Sequence, residues 1–270
     1  MRSHERLVGE LRDEAIRRSH SYDDECFVLR GLWSVDLFFR PTPQEREFDY
    51  RFLLAQTEGQ GCCYCPHGST ELVDGSKLGK DARDIRPDSV CLEIALLDAI
   101  YSSFPRRPSA VHHLDGFSGA KSLRRAEIVC AEAVNLATGR VPSHTKIVNV
   151  GVVGTIVKLL GDAGYIVCCS DLDEDLQGSV VHGVEVQGGD HTCELVRDAD
   201  VAVVTGMTLA TGTLEGILEA SSEGGCKVLL FAETGANMAE AYMELGIDVV
   251  VGEQFPFYIF QGRSVIEVFR

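Results

Sequence analysis

Positive charge is scarce in this sequence, and it is scarcest in the second half. The 270 residues carry 25 Lys and Arg against 41 Asp and Glu, which gives a formal net charge of −16. Residues 141–270 hold 6 of the basic residues and 19 of the acidic ones. Binding to phosphate backbones and anionic lipid draws on dense Lys and Arg. We therefore expect neither nucleic acid nor a membrane as a partner; a metal cation or a positively charged small molecule suits this charge better.

The sequence also lacks an apolar run of about 18 residues, the length that a membrane-spanning helix requires. Its first residues, MRSHERLVGELRDEAIRRSH, place Leu7, Leu11 and Ala15 at helical spacing, which predicts an amphipathic helix rather than a signal peptide. We therefore expect a cytoplasmic protein. Nucleophile-elbow, P-loop and H-E-x-x-H motifs are absent as well, which disfavours hydrolase and kinase activities.

The change in charge near residue 140 predicts two domains, residues 1–140 and residues 141–270. In the first, the runs 26–39 and 48–56 are rich in aromatic and branched residues and predict strands, and Asp74-Gly75 is typical of a hairpin turn. Apolar periodicity over 89–104 and 120–139 predicts two helices. The first domain is therefore expected to be a small α+β domain.

From residue 146 onward, apolar strand-like runs alternate with glycine-bearing loops and amphipathic helices. This alternation is typical of a parallel sheet with helices on its faces. At least five strands are predicted in this order, beginning with KIVNVGVVG and ending with DVVVGEQF. The fold class predicted for the whole chain is α/β, a C-terminal Rossmann-like parallel sheet preceded by the smaller α+β domain.

Ligands of open α/β sheets bind at the carboxyl ends of the strands. Gly151 to Gly154 follows the first strand and partly matches a dinucleotide-binding turn, although Val153 stands where a second glycine is usual, and a simple tight turn is the alternative. Asp171 follows the second strand, where a carboxylate commonly accepts from a ribose hydroxyl; a turn cap is its alternative. A threonine-rich loop follows a later strand. The candidate cofactor-binding residues are Gly151, Gly154, Asp171, Thr205, Gly206, Thr208, Thr211, Gly212 and Thr213.

Two further groups carry chemistry that a site could use. Cys62, Cys65 and His67 are candidate ligands of a soft metal, with ordinary loop thiols as the alternative. His113 and Glu233 are candidate catalytic residues for proton transfer, the former with a plain surface loop as its alternative.

The run DADVAVVTGMTLATGTLEGIL resembles a family known for a proposed role in heavy-metal chelation, whose members join an enolase N-terminal-like domain to a Rossmann-like domain. Thr205, Gly206, Thr208, Gly212, Thr213 and Leu214 match the family pattern, while Thr211 stands where asparagine is usual. The family's glycine-proline-serine loop is absent at 233–236. The match covers roughly residues 146–253, and it implies a site in the cleft between the two domains.

Three functions remain open from the sequence. The first is a small-molecule or metal-handling protein with its site in that cleft, acting in the metabolism of a metal-chelating, amino-acid-derived compound, with a divalent metal ion as the candidate cofactor. The second is a lyase or transferase of specialised amino-acid metabolism that uses a nucleotide-like or adenosyl ligand. The third is an oligomeric scaffold with FPFYIF (255–260) as an interface strand. A homo-oligomer, in its simplest form a homodimer, is expected in any case.

Overall fold

The computed structural model describes residues 3–40, 47–66 and 73–270. The first part of the chain holds helix α1 (Ser3–Ser19), the strands β1 (Gly31–Phe39), β2 (Phe48–Gln56) and β3 (Gln60–Cys65), and helix α2 (Val90–Tyr101). The strands pair antiparallel in the order β1-β2-β3. Strand β4 (Ala110–Leu114) and helix α3 (Ser118–Leu136) follow. No helix in the described ranges is long and apolar enough to cross a membrane.

The second part alternates strands and helices, as the sequence predicts. Its elements are β5 (Lys146–Val150), α4 (Gly154–Asp162), β6 (Ile166–Asp171), β7 (Val180–Val181), β8 (Val184–Gly188), α5 (Thr192–Arg197), β9 (Val201–Thr205), α6 (Met207–Thr211), α7 (Leu214–Gly224), β10 (Lys227–Ala232), α8 (Ala239–Glu244), β11 (Val249–Gly252) and β12 (Ser264–Phe269). Short 3-10 helices lie at Asp24–Phe27, Gly75–Lys77, Pro142–His144, Gly189–His191, Ala236–Met238 and Phe257–Ile259.

The large sheet has the strand order β4-β12-β11-β10-β9-β5-β6-β8-β7. Its central strands pair in parallel, whereas β12, β4 and β7 join antiparallel. The parallel strands lie side by side in the order β8-β6-β5-β9-β10-β11. If these six strands alone are numbered 1 to 6 as they occur along the chain, this order is 3-2-1-4-5-6, that of the doubly wound dinucleotide-binding fold. The α/β fold class with a Rossmann-like sheet is thereby confirmed.

Both faces of the large sheet are buried, because its central strands are largely apolar on both sides. On β9, Ala202 and Val204 belong to the cluster that packs against α2, α5, α7 and α8, and Val201 and Val203 belong to the cluster on the α3 and α4 side. The antiparallel sheet presents Leu53, Cys63 and Cys65 to the first of these clusters. Its other face packs Phe52, Cys62 and Tyr64 against Phe255. The second face therefore meets the Rossmann-like part of the chain.

Four local expectations differ from the structure. Residues 26–30 precede β1 rather than belong to it, since a 3-10 helix ends at Phe27. Asp74 does not open a hairpin; it caps the 3-10 helix Gly75–Lys77 by accepting from the Ser76 N–H at 2.9 Å. Cys62 and Cys65 do not lie in a loop; they belong to strand β3, whose alternate side chains are buried on its two faces. FPFYIF contains a 3-10 helix, with Phe255 and Tyr258 buried within the chain.

The large sheet does not begin at the predicted domain boundary. Strand β4 precedes residue 140 and pairs with β12, with His113 opposite Val265. Helix α3 also precedes that residue, and it packs against α4 on one face of the sheet. The division into 1–140 and 141–270 stays a prediction, and β4 and α3 lie with the second part.

Candidate ligand-binding site

A cavity of about 1000 Å³ lies at the carboxyl ends of β5, β6, β9 and β10. Strands β5 and β9 are neighbours in the sheet, but the chain continues from β5 to β6 on one side and from β9 to β10 on the other. The connections that follow β5 and β9 therefore diverge and leave a crevice between them. The antiparallel sheet and α3 close the cavity from the other side, through side chains of β2, β3 and residues 122–126. Gly151, Gly154, Asp171, Thr205, Gly206, Thr208, Thr211, Thr213 and Glu233 all line it.

The glycine turn after β5 is held by two side chains of the strands themselves. Gly151 has a φ of +76°, a conformation that glycine adopts without strain. Asp171 accepts a hydrogen bond from the Val152 N–H at 2.7 Å, and Asn149 accepts one from the Val153 N–H at 2.9 Å. Two N–H groups that a phosphate-binding loop would present to its ligand are therefore already satisfied within the protein.

The threonine-rich loop after β9 folds into the short helix α6. Thr208 donates to the Thr205 carbonyl at 2.8 Å, and the hydroxyl oxygens of Thr211 and Thr213 lie 3.1 Å apart. These four threonines line the cavity. Gly212 is not among the lining residues. It ends α6 in the left-handed conformation, with a φ of +75°, which allows the chain to turn there.

A buried charge cluster forms the wall between β10 and α3. Arg125 of α3 pairs with Glu233 and lies 2.8 Å, Nε to Oε2, from Glu253, which follows β11. Its guanidinium also lies 3.5 Å from the centre of the Tyr258 ring. Glu233 lines the cavity, whereas Glu253 is 1% exposed behind it. A single arginine thus forms ion pairs with two buried carboxyl groups.

Burial dominates the titration of both carboxyl groups. It raises the pKa of Glu233, and the charge of Arg125 offsets that effect in part. For Glu253, burial outweighs the attraction of Arg125, and the neighbouring charge of Glu233 adds to it, so the pKa lies at about 7. Two carboxyl groups near one cation repel each other when both are ionised, which favours protonation of one of them.

Aromatic side chains form the opposite wall. Phe48, Tyr50 and Phe52 alternate along β2, so they share one face, and Tyr64 lies opposite Phe52 in the register of β3. The rings of Tyr50 and Tyr64 are 5.7 Å apart and nearly perpendicular. Burial, and then the negative charge of Asp171, raise the pKa of Tyr64 to about 12. The aromatic wall and the carboxylates at the end of β6 line the same cavity.

A polar network fixes the two walls relative to each other. Asp98 of α2 is fully buried and accepts from the backbone N–H groups of Cys62 and Asn237, each at 2.8 Å. Burial raises the pKa of Asp98 to about 7, although these two N–H donors oppose the shift. Thr234 accepts from the Tyr64 N–H at 2.9 Å. The strand that carries Tyr64 is thereby joined to the loop that carries Glu233.

Three of the predicted catalytic and metal-binding residues do not line the cavity. His113 is exposed on β4, the edge strand of the large sheet, and is not among the lining residues, so the structure does not place it with Glu233. Cys62 and Cys65 are buried in different apolar clusters on opposite faces of β3. His67 lies outside the described residues. Within the described ranges, no group of three or more His, Cys, Asp or Glu side chains is placed to hold a metal ion. The three-residue metal site stays a prediction.

Sequence reasoning missed Arg125, Glu253 and the aromatic wall. The signal for Arg125 was present, because Lys121 and Arg125 stand one helical turn apart on the largely apolar buried face of α3. Lys121 donates to the Phe257 and Gly262 carbonyls and so fixes the segment that carries Tyr258. Basic residues on the apolar face of a helix indicate buried acidic partners.

The strand order and the position of the cavity define an α/β protein with a Rossmann-type sheet, and an antiparallel sheet covers the cavity at the carboxyl ends of its strands. Residues 136–254 match the family model DUF364, described as "Putative heavy-metal chelation". This part of the chain is thus similar to the DUF364 family, and the resemblance found in the sequence is confirmed.

Two solved structures of this family are similar to the chain over nearly its whole length. A DUF364 protein of unknown function from Desulfitobacterium hafniense gives a TM-score of 0.59 at 12% identity, over 96% of this chain and 98% of that one. One from Pyrococcus horikoshii gives 0.52 at 11% identity, over 97% and 99%. Identities this low show the shared fold. No curated protein matches the chain.

Proposed function

We propose that this protein binds a small organic molecule in the cavity between its two sheets and that Glu233 exchanges a proton with that molecule. The observation that carries this proposal is the cavity itself. Its volume of about 1000 Å³ lies at the upper end of the range typical of ligand pockets. It also lies at the sheet edge where doubly wound folds bind their ligands.

The proton-transfer role rests on the pairing of Glu233 with Glu253. Glu233 reaches the cavity, and Glu253 lies behind it with a pKa at about 7. A carboxyl group whose pKa is raised by burial can donate or accept a proton near neutral pH, which is the requirement for a general acid or base. Arg125 keeps both groups in place through its two ion pairs.

The family description links the ligand to heavy metals. The described residues supply no cluster of three metal ligands. We therefore propose that the bound organic molecule, rather than the protein, supplies the metal ligands. A metal-chelating, amino-acid-derived compound meets this condition. Direct metal binding by Cys62, Cys65 and His67 is the competing proposal.

An adenosyl or nucleotide-like ligand is the second candidate function, as a substrate or cofactor of a lyase or transferase. One arrangement favours it: Asp171 ends β6 beside the Gly151 turn, the position from which a carboxylate reaches a ribose in related folds. In this proposal Gly151, Gly154 and Asp171 contact the nucleoside, and Thr205, Gly206, Thr208, Thr211 and Thr213 contact the remainder of the ligand.

Native mass spectrometry tests the proposed function. The reduced protein is incubated with the protein-free small-molecule fraction of a host-cell extract, separated from unbound solutes and weighed intact. The Ser122→Phe variant places a ring into the cavity from α3, and Leu123→Phe is its matched control at an exposed neighbouring position. We expect an added organic mass in the wild type and the control but not in Ser122→Phe.

Two results would contradict the proposal. The first is a wild-type chain that carries nothing. The second is an adduct of metal-ion mass alone that a chelator removes and that Ser122→Phe leaves intact, which would favour the thiol site instead.

A further inference from the structure

We propose that the ligand of the cavity is an organic cation, an ammonium or sulfonium centre bearing alkyl groups, which lies between the aromatic wall and the carboxylates at the end of β6. This inference rests on the proposed function, because it names the ligand class of the same cavity.

The charge of the cavity is the first argument. Among its lining residues in the described part of the chain, one, Arg125, carries a permanent positive charge, and five are acidic: Glu47, Asp49, Asp171, Asp173 and Glu233. Arg125 is already paired with Glu233 and Glu253, and Glu47 is paired with Arg40, which is not a lining residue. A partly desolvated site with this excess of negative charge penalises a phosphate and favours a ligand with a cationic centre.

The glycine turn supports the same conclusion. A dinucleotide-binding loop presents backbone N–H groups to a pyrophosphate. Here the Val152 and Val153 N–H groups donate to Asp171 and Asn149 instead. The carboxylate of Asp171 therefore stands beside the position that a phosphate would occupy, and it would repel that phosphate.

The aromatic wall supplies the second half of a cation site. Phe48, Tyr50, Phe52 and Tyr64 pack edge to face or tilted, with neighbouring ring centres 5.5 to 6.2 Å apart. The face of an aromatic ring attracts a cation, most strongly when the site is desolvated. Alkyl groups on the cation also bury apolar surface against the rings, which a bare metal ion does not. The aromatic rings and the carboxylates together select an alkylated cation.

Calorimetric titration with two pairs of probes tests this inference. The two members of each pair have nearly the same shape but differ in charge. The pairs are S-adenosylmethionine against S-adenosylhomocysteine, and choline against 3,3-dimethyl-1-butanol. We expect the cation of at least one pair to bind about tenfold or more tightly than its neutral counterpart, the difference that one desolvated cation–π contact supplies.

Variants locate the charge preference. Asp173→Asn removes one cavity charge and keeps an oxygen that can accept from the Asp175 N–H, as Asp173 does at 3.1 Å, and Glu174→Gln is its exposed control outside the cavity. Tyr50→Leu removes an aromatic face that Tyr50→Phe retains. We expect Asp173→Asn and Tyr50→Leu to lower the cation-to-neutral affinity ratio, and Glu174→Gln and Tyr50→Phe to leave it unchanged.

Three outcomes would overturn the inference. Equal affinity within both pairs would show that charge is not selected. Tighter binding of the neutral members would reverse the proposed preference. Failure of both cations to bind would remove the cation as the ligand. If the neutral probes bind and Ser122→Phe abolishes their binding, the proposed function stands and only the cation preference fails.

Discussion

Replacement of Glu253 by glutamine tests the buried charge cluster through the pH dependence of stability. The pKa of Glu253 lies at about 7 in the folded protein, against 4.5 for an ordinary glutamate. Because its folded pKa is raised, the native state binds the proton more tightly than the unfolded chain does, so stability is lost as pH rises from 4.5 towards 7. The loss is complete above pH 7.

One pKa unit corresponds to about 1.4 kcal/mol, so an ionised Glu253 costs on the order of 3 kcal/mol of unfolding free energy above pH 7, and most of this cost develops between pH 5 and pH 8. Glutamine cannot ionise, and its carbonyl can still accept from the Tyr258 N–H, which Glu253 accepts at 3.1 Å. We therefore expect Glu253→Gln to gain roughly 2 to 3 kcal/mol in unfolding free energy relative to wild type between pH 5 and pH 8.

Urea-induced unfolding followed by circular dichroism at pH 5, 6, 7 and 8 measures this difference. Glu174→Gln is the matched control, since Glu174 is exposed and lies outside the cluster, and it should follow the wild type at every pH. A Glu253→Gln variant whose stability relative to wild type does not change with pH would refute the account of the cluster.

Two further substitutions test how the walls of the cavity are held. Gly151→Ala forces a φ of +76° on a residue with a Cβ, which would meet the Thr205 side chain, and we expect a loss of at least about 1 kcal/mol in chemical denaturation; unchanged stability would contradict the turn geometry. Asp98→Asn replaces one accepting oxygen by a donor that faces the N–H of Cys62 or Asn237. We expect a loss of about 2 kcal/mol at pH 8, and a thermal midpoint equal to that of wild type would count against the network.

The sequence predicts the large sheet well, because strands buried on both faces are mostly apolar and alternate with amphipathic helices. It also places Gly151, Asp171 and Thr205 near one another, since the carboxyl ends of parallel strands meet at one edge. These residues do line a common cavity.

What the sequence misses depends on contacts between distant segments. Strand β3 is short and rich in glycine and cysteine, and it pairs only because β2 lies beside it. Strand β4 has five residues and is fixed by β12, which stands about 150 residues later. Arg125, Glu233 and Glu253 come from three separate elements, so no local spacing shows that they meet. His113 lies on the edge strand β4 and not among the residues that line the cavity. Its local sequence gave no sign of this, because the pairing of β4 with β12 is a long-range contact.

The most direct test of the account is a diffraction experiment on crystals soaked with S-adenosylmethionine and zinc chloride together, with anomalous data recorded at the zinc edge. The account predicts organic density in the cavity, with the sulfonium between Tyr64 and Asp173 and the ligand within hydrogen-bond reach of Glu233. An empty cavity, with an anomalous zinc peak at Cys62 or Cys65, would contradict it.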